Sequence, residues 1–502
     1  MLRKIRLTCA LVVFVLITGL FLDFTGTLHV WLGWLAKIQF LPAVLALNMG
    51  VILFLVVLTL VFGRVYCSVI CPLGVFQDVV SWVSGQRKKK RYRFSYSPEV
   101  KWLRYGVFTL FVIALIAGIG SLVALLAPYS SYGRIAQNLF QPVYIWGNNL
   151  LAYLAERADS YAFYERDVWL RSLPTFIIAA VTFVVLIVLA WRGGRTYCNT
   201  ICPVGTVLGL ISRFSFFHPV LDAGKCKKCS LCARKCKAAC IDYKNHRIDY
   251  SRCVACMDCI DTCKHDALHL QWRWKNMNQP KEDKPVADVT KTVDAARRTF
   301  LIGAAVATTS AALAQEKKKV DGGLAVIEDK IAPKRTTPIT PPGSLSAENM
   351  ARHCTACQLC VAECPNNVLR PSTDLMKLMQ PTMSYERGYC RPECTRCSEV
   401  CPAGAIRPIT RADKSATQIG HAVWVKKNCI PLTDGVECGN CARHCPSGAI
   451  TMVPSDASNS NSPKIPAVNT ERCIGCGACE NLCPARPFSA IYVEGHEMHR
   501  IV

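Results

Sequence analysis

Twenty-four of the thirty cysteines in this chain stand in six tight runs, at the spacing of iron–sulfur ligands. Four runs lie toward the C-terminus: Cys354-x2-Cys357-x2-Cys360-x3-Cys364-Pro, Cys390-x3-Cys394-x2-Cys397-x3-Cys401-Pro, Cys429-x8-Cys438-x2-Cys441-x3-Cys445-Pro and Cys473-x2-Cys476-x2-Cys479-x3-Cys483-Pro. Two lie upstream: Cys226-x2-Cys229-x2-Cys232-x3-Cys236 and Cys253-x2-Cys256-x2-Cys259-x3-Cys263. Three thiolates so close together reach three corners of one [4Fe–4S] cubane, and the fourth, held apart, serves the neighbouring cluster. The pattern predicts six [4Fe–4S] clusters in three pairs. Such a row has one plain use, which is moving electrons.

Other chemistries fit these cysteines poorly. Structural zinc needs two separated cysteine pairs around one ion, and leaves no role for the third cysteine or the Cys-Pro. Disulfides among cysteines packed this densely would gain little loop entropy and face many wrong pairings. Three details depart from the pattern. The run beginning at Cys429 has an eight-residue gap, and Lys237 and Lys264 replace the proline in the upstream pair, where Cys240 follows as an extra thiol. Cys9 stands in an apolar stretch and reads as a small buried hydrophobe.

The elements that hold these runs begin with a membrane part. Apolar stretches at 7–22, 41–62, 102–126 and 173–191 approach the roughly 20 residues that cross a bilayer. Arg3, Lys4 and Arg6 precede the first, and a basic loop, Arg87 to Arg93, separates the second from the third. The positive-inside rule therefore puts the N-terminus, that loop and the segment after Trp191 in the cytoplasm, and residues 23–40 and 127–172 outside. Trp31 and Trp34 suit an interface. The formal net charge of +24 counts every cysteine as neutral. Six cubanes at roughly −2 each would cancel about half of it, which removes the case for nucleic acid.

The membrane domain carries an internal repeat. Gly63-Arg64-Val65-Tyr66-Cys67-Ser68-Val69-Ile70-Cys71-Pro72-Leu73-Gly74 matches Gly194-Arg195-Thr196-Tyr197-Cys198-Asn199-Thr200-Ile201-Cys202-Pro203-Val204-Gly205. Each copy follows the second span of a two-span unit, so both lie on one membrane face near a pseudo-two-fold axis. Cys67, Cys71, Cys198 and Cys202 could share one metal or form redox-active thiol pairs, or simply pack small residues at helix ends.

The expected fold is a membrane protein: a four-helix transmembrane bundle with a two-fold repeat, plus α+β ferredoxin-like modules, one two-cluster and one four-cluster. The membrane domain spans 1–221 and the two-cluster module 222–273, followed by a charged linker, 274–298. Residues 299–314 form a twin-arginine-type apolar segment or fifth span, because Arg297-Arg298-Thr299-Phe300-Leu301 leads into a mildly apolar stretch ending Ala312-Leu313-Ala314. A Pro-rich linker, 315–350, precedes the four-cluster domain, 351–502. Export of that domain already folded would shield its thiols from an oxidising compartment.

On these motifs, residues 1–273 resemble the NapH-type membrane ferredoxins of periplasmic nitrate reductase systems, and residues 295–502 resemble the NapG/MauM-type four-cluster ferredoxins with a twin-arginine leader. The chain looks like a fusion of the two polyferredoxin types. The lysines at 237 and 264, with Cys240, bring the upstream module closer to a neighbouring subfamily. The resemblance implies a quinol-dehydrogenase-type electron-transfer component of an oxidoreductase system, multi-pass in a bacterial inner membrane. It implies the quinone pool and a periplasmic redox protein or reductase as partners. It also implies that the first run of the four-cluster domain pairs with the fourth, so that Cys354, Cys357 and Cys360 share a cluster with Cys483. Gln77 and Asp78 are candidates for handling a quinol proton or simply a solvated helix face. A rival reading is an accessory protein for metalloenzyme assembly, its Cys-x3-Cys-Pro thiols reducing or holding copper. No histidine lies in the four stretches to ligate a membrane haem, no Cys-x-x-Cys-His exists, and Gly118-Ile119-Gly120 reads as helix packing rather than a dinucleotide fingerprint.

Overall fold

The computed structural model describes residues 2–86, 94–273 and 328–501. The basic loop, the charged linker and the twin-arginine segment lie outside the described residues. Two helices are long and apolar enough to cross a membrane, α1 (Leu2–Leu22) and the helix Leu173–Gly193. Both leave much of their apolar surface outward, with Leu11, Val12 and Val15 of α1 and Val181 and Val185 of the other exposed. Cys9 is among the exposed residues and is not the buried hydrophobe expected from its neighbours.

The other two expected spans are broken. Residues 41–62 form a short helix, Phe40–Leu45, then α2 (Met49–Phe62), with Leu47 at φ 52° between them. After α3 (Pro72–Gly85) comes α4 (Lys101–Ile116), which ends at Gly118, φ 71°, before a short helix Gly120–Leu126. The expected outer loop 127–172 is largely helical. It holds α5 (Pro128–Ile135), a π-helical stretch Ala136–Phe140 and α6 (Gln141–Glu156), followed by α7 (Leu173–Gly193) and α8 (Pro203–Ser212). Every residue of α5 is buried. Pro72, Pro128, Pro142, Pro174 and Pro203 all fall in first turns, where a missing N–H costs nothing.

Three modules carry the cysteine runs, two of them on one topology. In the first, β1 (Phe217–Leu221), β2 (Ile241–Asp242), β3 (Arg247–Ile248) and β4 (Leu268–Trp272) form two antiparallel pairs, β1 with β4 and β2 with β3. The outer pair closes the module and the inner hairpin separates its two cysteine runs. After β5 (Leu369–Pro371) and β6 (Pro381–Met383), which separate the runs of the second module, the third repeats the first: β7 (Thr417–Trp424), β8 (Ile450–Pro454), β9 (Lys464–Val468) and β10 (Ile491–Ile501), with β7 on β10 and β8 on β9. In the second module the expected Pro-rich linker substitutes for a closing strand pair. Ile339 is buried, its carbonyl accepts from Met383 N at 2.9 Å, and Gly343 O accepts from Arg407 N at 2.9 Å. Residues 339–350 therefore belong to the domain they were expected to precede.

Helices α1 and α7 each touch one module at one end and another module at the other. Near the start of α1, Arg3 Nε lies 2.9 Å from Asp258 of the first module; just past its end, His29 Nε2 lies 3.1 Å from Glu363 of the second. Around α7, Arg171 donates to Val361 O at 2.9 Å, and Arg195 N donates to Lys237 O at 2.9 Å. At 1.5 Å per residue, 21 residues hold the two contacts about 30 Å apart. The outer contact is close: a Cβ on Gly133 of α5 would stand 2.3 Å from Cys357 O and 2.9 Å from the Phe21 ring. Gly133→Val should weaken this docking by about 1–3 kcal/mol. Hydrogen exchange should then speed up roughly ten-fold or more across 128–141 and 354–364, while Gly147→Ala, with open space around it, leaves exchange there unchanged.

Candidate metal centres

The cysteine runs fold into six sets of four thiols, and every set takes three thiols from one run and the fourth from its neighbour. Cys226, Cys229 and Cys232 face Cys263 (site I). Cys253, Cys256 and Cys259 line a small cavity with Cys236 (site II). Cys401 stands beside Cys354, Cys357 and Cys360 (site III), and Cys364 lines a cavity with Cys390, Cys394 and Cys397 (site IV). Cys429, Cys438 and Cys441 share a cavity with Cys483 (site V), and Cys473, Cys476 and Cys479 share one with Cys445 (site VI). Adjacent runs thus pair, the first with the second and the third with the fourth. The expected sharing of Cys354, Cys357 and Cys360 with Cys483 is overturned: Cys483 sits in site V. The reason is local topology, because each module folds two consecutive runs around one hairpin. The eight-residue gap after Cys429 does not displace it, since the short helix Ile430–Thr433 takes up the extra chain.

The backbone explains why three thiols converge. In four runs the residues on either side of the second cysteine have positive φ: Lys228 and Ser230, Ala255 and Met257, Ala356 and Gln358, Gly475 and Gly477. This left-handed winding turns successive amides inward, as in an anion-binding nest. Amides also approach the fourth thiols: Ile406 N to Cys401 Sγ at 3.4 Å, Ala449 N to Cys445 Sγ at 3.3 Å and Ala490 N to Cys483 Sγ at 3.3 Å. No three cysteine, histidine or acidic side chains come together as a single-ion site among the described residues. Thiols gathered in fours, three from one run and the fourth from its neighbour, fit the ligand pattern of a [4Fe–4S] cluster, which would supply one-electron redox chemistry when bound. Cys240, buried, lies 3.5 Å sulfur to sulfur from Cys236, beside site II.

The two Cys-x3-Cys-Pro motifs come together as the repeat predicts. Cys67, Cys71, Cys198 and Cys202 are each 4–5% exposed. Burial and then the charges of Cys198, Cys71 and Cys67 push the Cys202 thiol well up, so the four form one electrostatic group. Each copy is strapped to the other by its arginine: Arg64 Nη2 donates to Cys198 O at 3.1 Å, and Arg195 Nη1 to Cys67 O at 2.5 Å. Gly74 and Gly205 leave room for these guanidiniums, since a Cβ would stand 2.5 and 2.8 Å from them. The arginines stand at matched positions of the repeat, a signal present in the sequence and not read there as functional.

Asp78 is not a solvated face. Its carboxylate meets Arg195 at 2.9 Å, Arg6 at 3.2 Å and Lys237 at 3.7 Å, and Lys237 reaches Asp258 at 3.0 Å. Burial alone would raise its pKa, but Arg195, Lys237 and Arg6 outweigh burial and hold it well below the usual carboxylate range. Lys237, in the place of the usual proline, thereby ties the first module to α3. Gln77 is also buried, and its Nε2 donates to Cys198 Sγ at 3.3 Å.

The thiol sets follow one another through the molecule. Arg64 acts on Cys253 of site II and lies 3.8 Å from Cys67 Sγ. Beyond the four thiols, Arg134 interacts with Tyr197 on one side and Cys357 of site III on the other, and Tyr129 lies near Cys357 and Cys401. Sites III and IV share a module. Cys390 N donates to Cys476 O at 2.9 Å, which joins site IV to site VI, and Tyr385 between them donates to Gly475 O at 2.6 Å.

Comparison with known proteins agrees with this anatomy. A 4Fe-4S binding domain family matches residues 45–91 and 174–219, the two Cys-x3-Cys-Pro units. A 4Fe-4S dicluster domain family matches 353–419 and 436–486, the second and third modules. The ferredoxin-type protein NapH of Escherichia coli is 25% identical over 244 residues, 47% of this chain and 71% of its own length. NapF of the same organism is 30% identical over 166 residues, 32% of this chain and 90% of its own length. The methylamine utilization ferredoxin-type protein MauM of Methylobacillus flagellatus is 31% identical over 165 residues, 32% of this chain and 70% of its own length. No solved structure matches.

Iron counts test the pairing of runs. Cys357→Ser and Cys401→Ser, which strike the same site, should together cost about four irons per chain, no more than either alone. Cys357→Ser with Cys483→Ser should cost about eight. The reverse result would restore the pairing of the first run with the fourth.

Proposed function

Because the chain belongs to the ferredoxin-type protein family of NapF and MauM and is NapH-like, we propose that this iron–sulfur electron-transfer protein is a conduit across a bacterial inner membrane, carrying electrons from quinol to a periplasmic reductase. Sites I to VI each hold one [4Fe–4S] cluster through their four cysteines. The first module is cytoplasmic and the second and third are periplasmic, delivered by the twin-arginine-type segment at 299–314 or anchored by it as a fifth span. Quinol oxidation to quinone releases two electrons and two protons; the cysteines of sites I to VI would hold the one-electron centres that take those electrons singly, and the protons would pass to water.

The observation that supports this reading best is the attachment of different modules to opposite ends of α1 and α7. Apolar helices of that length with outward-facing leucine and valine suit a bilayer, and the charged lattice of Arg3, Arg6, Asp78, Arg195, Lys237 and Asp258 suits its cytoplasmic boundary. The periplasmic partner would meet site V, at the end of the series, where Leu432 and Val436 are exposed.

With the purified chain in lipid, a reduced menaquinol or ubiquinol analogue should bleach the cluster absorbance. Intact clusters that stay oxidised would remove quinol as the donor. A reporter fused after Val502 should be active only outside the cytoplasm, and activity only inside would put the second and third modules on the wrong side for this reading.

A further inference from the structure

We propose that a cavity where α1 and α7 meet the second module holds the ring of a membrane quinol, whose electrons enter the row of centres at site IV. This deepens the conduit reading and rests on it: that reading makes quinol the donor but does not say where along the row its electrons enter.

The cavity, about 290 Å³, lies between the π-helical stretch with the start of α6, residues 165–171 ahead of α7, and the second module at Ala362 and Cys364. Gln141, in its wall, donates through Nε2 to Phe21 O in the last turn of α1 at 3.5 Å. Arg171, also in the wall, stands two residues before α7. Both long apolar helices therefore reach the cavity at the end that carries the second module. Alongside it α6 leaves Val143, Trp146, Leu150, Tyr153 and Leu154 exposed. An apolar helix face that includes Trp and Tyr suits the lipid interface, from which a quinol ring would enter with its tail left in the bilayer.

Cys364 carries the argument furthest. It lines this cavity and also the one it shares with Cys390, Cys394 and Cys397 at site IV. A ring in the first cavity would lie against a ligand of the second, and electron tunnelling weakens exponentially with distance. The walls fit such a ring. A π-helical turn, a distortion that recurs at functional sites, carries Gln137 into the wall. Gln137 is 4% exposed, and its Nε2 donates to Gln141 Oε1 at 2.6 Å. Its own Oε1 is buried with no hydrogen-bond partner among the described residues, although buried polar atoms are nearly always paired. A quinol hydroxyl would be its donor. Phe24, Ile145 and Trp169 add apolar and aromatic surface. Glu165 and Asp167 offset Arg166 and Arg171 in the wall, so the cavity favours a neutral guest over a phosphate headgroup. Its volume is near the lower end of the roughly 300–1,000 Å³ of small-molecule pockets, room for one ring rather than a lipid. As the quinol is oxidised, two O–H bonds break and two C=O bonds form. Its two electrons pass singly past Cys364 to the [4Fe–4S] centre of site IV and on to the periplasmic reductase, and its two protons pass to water beside the exposed Glu165 and Asp167.

The test is photolabelling of the full chain in lipid with an azido-benzoquinol and an azido-naphthoquinol, the labelled peptides being located by mass spectrometry. Label should fall within 137–145 and 165–171 and disappear with excess unlabelled quinol. Gln137→Leu should weaken binding of the probe about ten-fold, and Ile145→Trp, which fills the cavity, should abolish labelling, both with iron content unchanged. Label confined to other peptides, or undiminished labelling of Ile145→Trp, overturns the proposal. Should the variants not fold, the position of the label on the unmutated chain decides. If quinol bleaches the clusters of Ile145→Trp as fast as those of the native chain, the conduit reading stands and this site is lost. A native chain that neither bleaches nor takes the label loses both.

Discussion

A fixed separation governs this molecule. Two 21-residue apolar helices, α1 and α7, set the first and second modules about 30 Å apart, and neither helix carries a charge through its middle. The two junctions solve different problems. At one, six charged side chains interlock, with Asp78 and Asp258 as its two hubs, each meeting three cations. Breaking a buried lattice of this kind is costly, whereas its net stabilisation is small once desolvation is counted. Its use is to fix orientation. At the other junction a few polar contacts are joined by close backbone packing: Gly133 and Gly120 let chains meet where a side chain would not fit, and a Cβ on Gly120 would stand 2.8 Å from Ala351 O.

The chemistry of the chain was legible in its sequence to an unusual degree, because cluster ligation is imposed by spacing. Three thiols in seven residues need only a local left-handed winding, which the four regular runs adopt whether the residue is Lys228, Ala356 or Gly475. The repeat was legible for a similar reason, since Gly63 and Gly194 both need positive φ and Arg64 and Arg195 both need a partner across the axis. What stayed hidden was whatever depends on distant contacts. Hydropathy gave residues 41–62 and 102–126 as single spans, yet averaged over a span's length it is blind to a break at Leu47, where Asn48 caps the next helix, or at Gly118. The pairing of runs was misjudged by analogy, when the hairpins β5–β6 and β8–β9 bring consecutive runs together. Lys237 looked like a lost proline and is a tether.

The two halves of the repeat are not equivalent, and the difference bears on how electrons are held. Where the first copy has Gln77 and Asp78, the second has Leu208 and Gly209. Gln77 therefore donates to Cys198 from one side only, and a Cβ on Gly209 would stand 2.5 Å from Ser251 O of the first module. One flank thus carries Gln77 and the Asp78 carboxylate, while on the other Gly209 makes room for the buried Arg104 guanidinium. Hydrogen bonds and positive charge stabilise the more reduced, more negative state of an iron–sulfur centre, whereas burial without them disfavours it. Arg64 and Arg195 lie close to the thiols in a region from which water is excluded, so their effect on any centre there is screened little. A carrier at this place would accept an electron more readily than burial alone allows. That property suits a midpoint between two modules better than a terminus at either end.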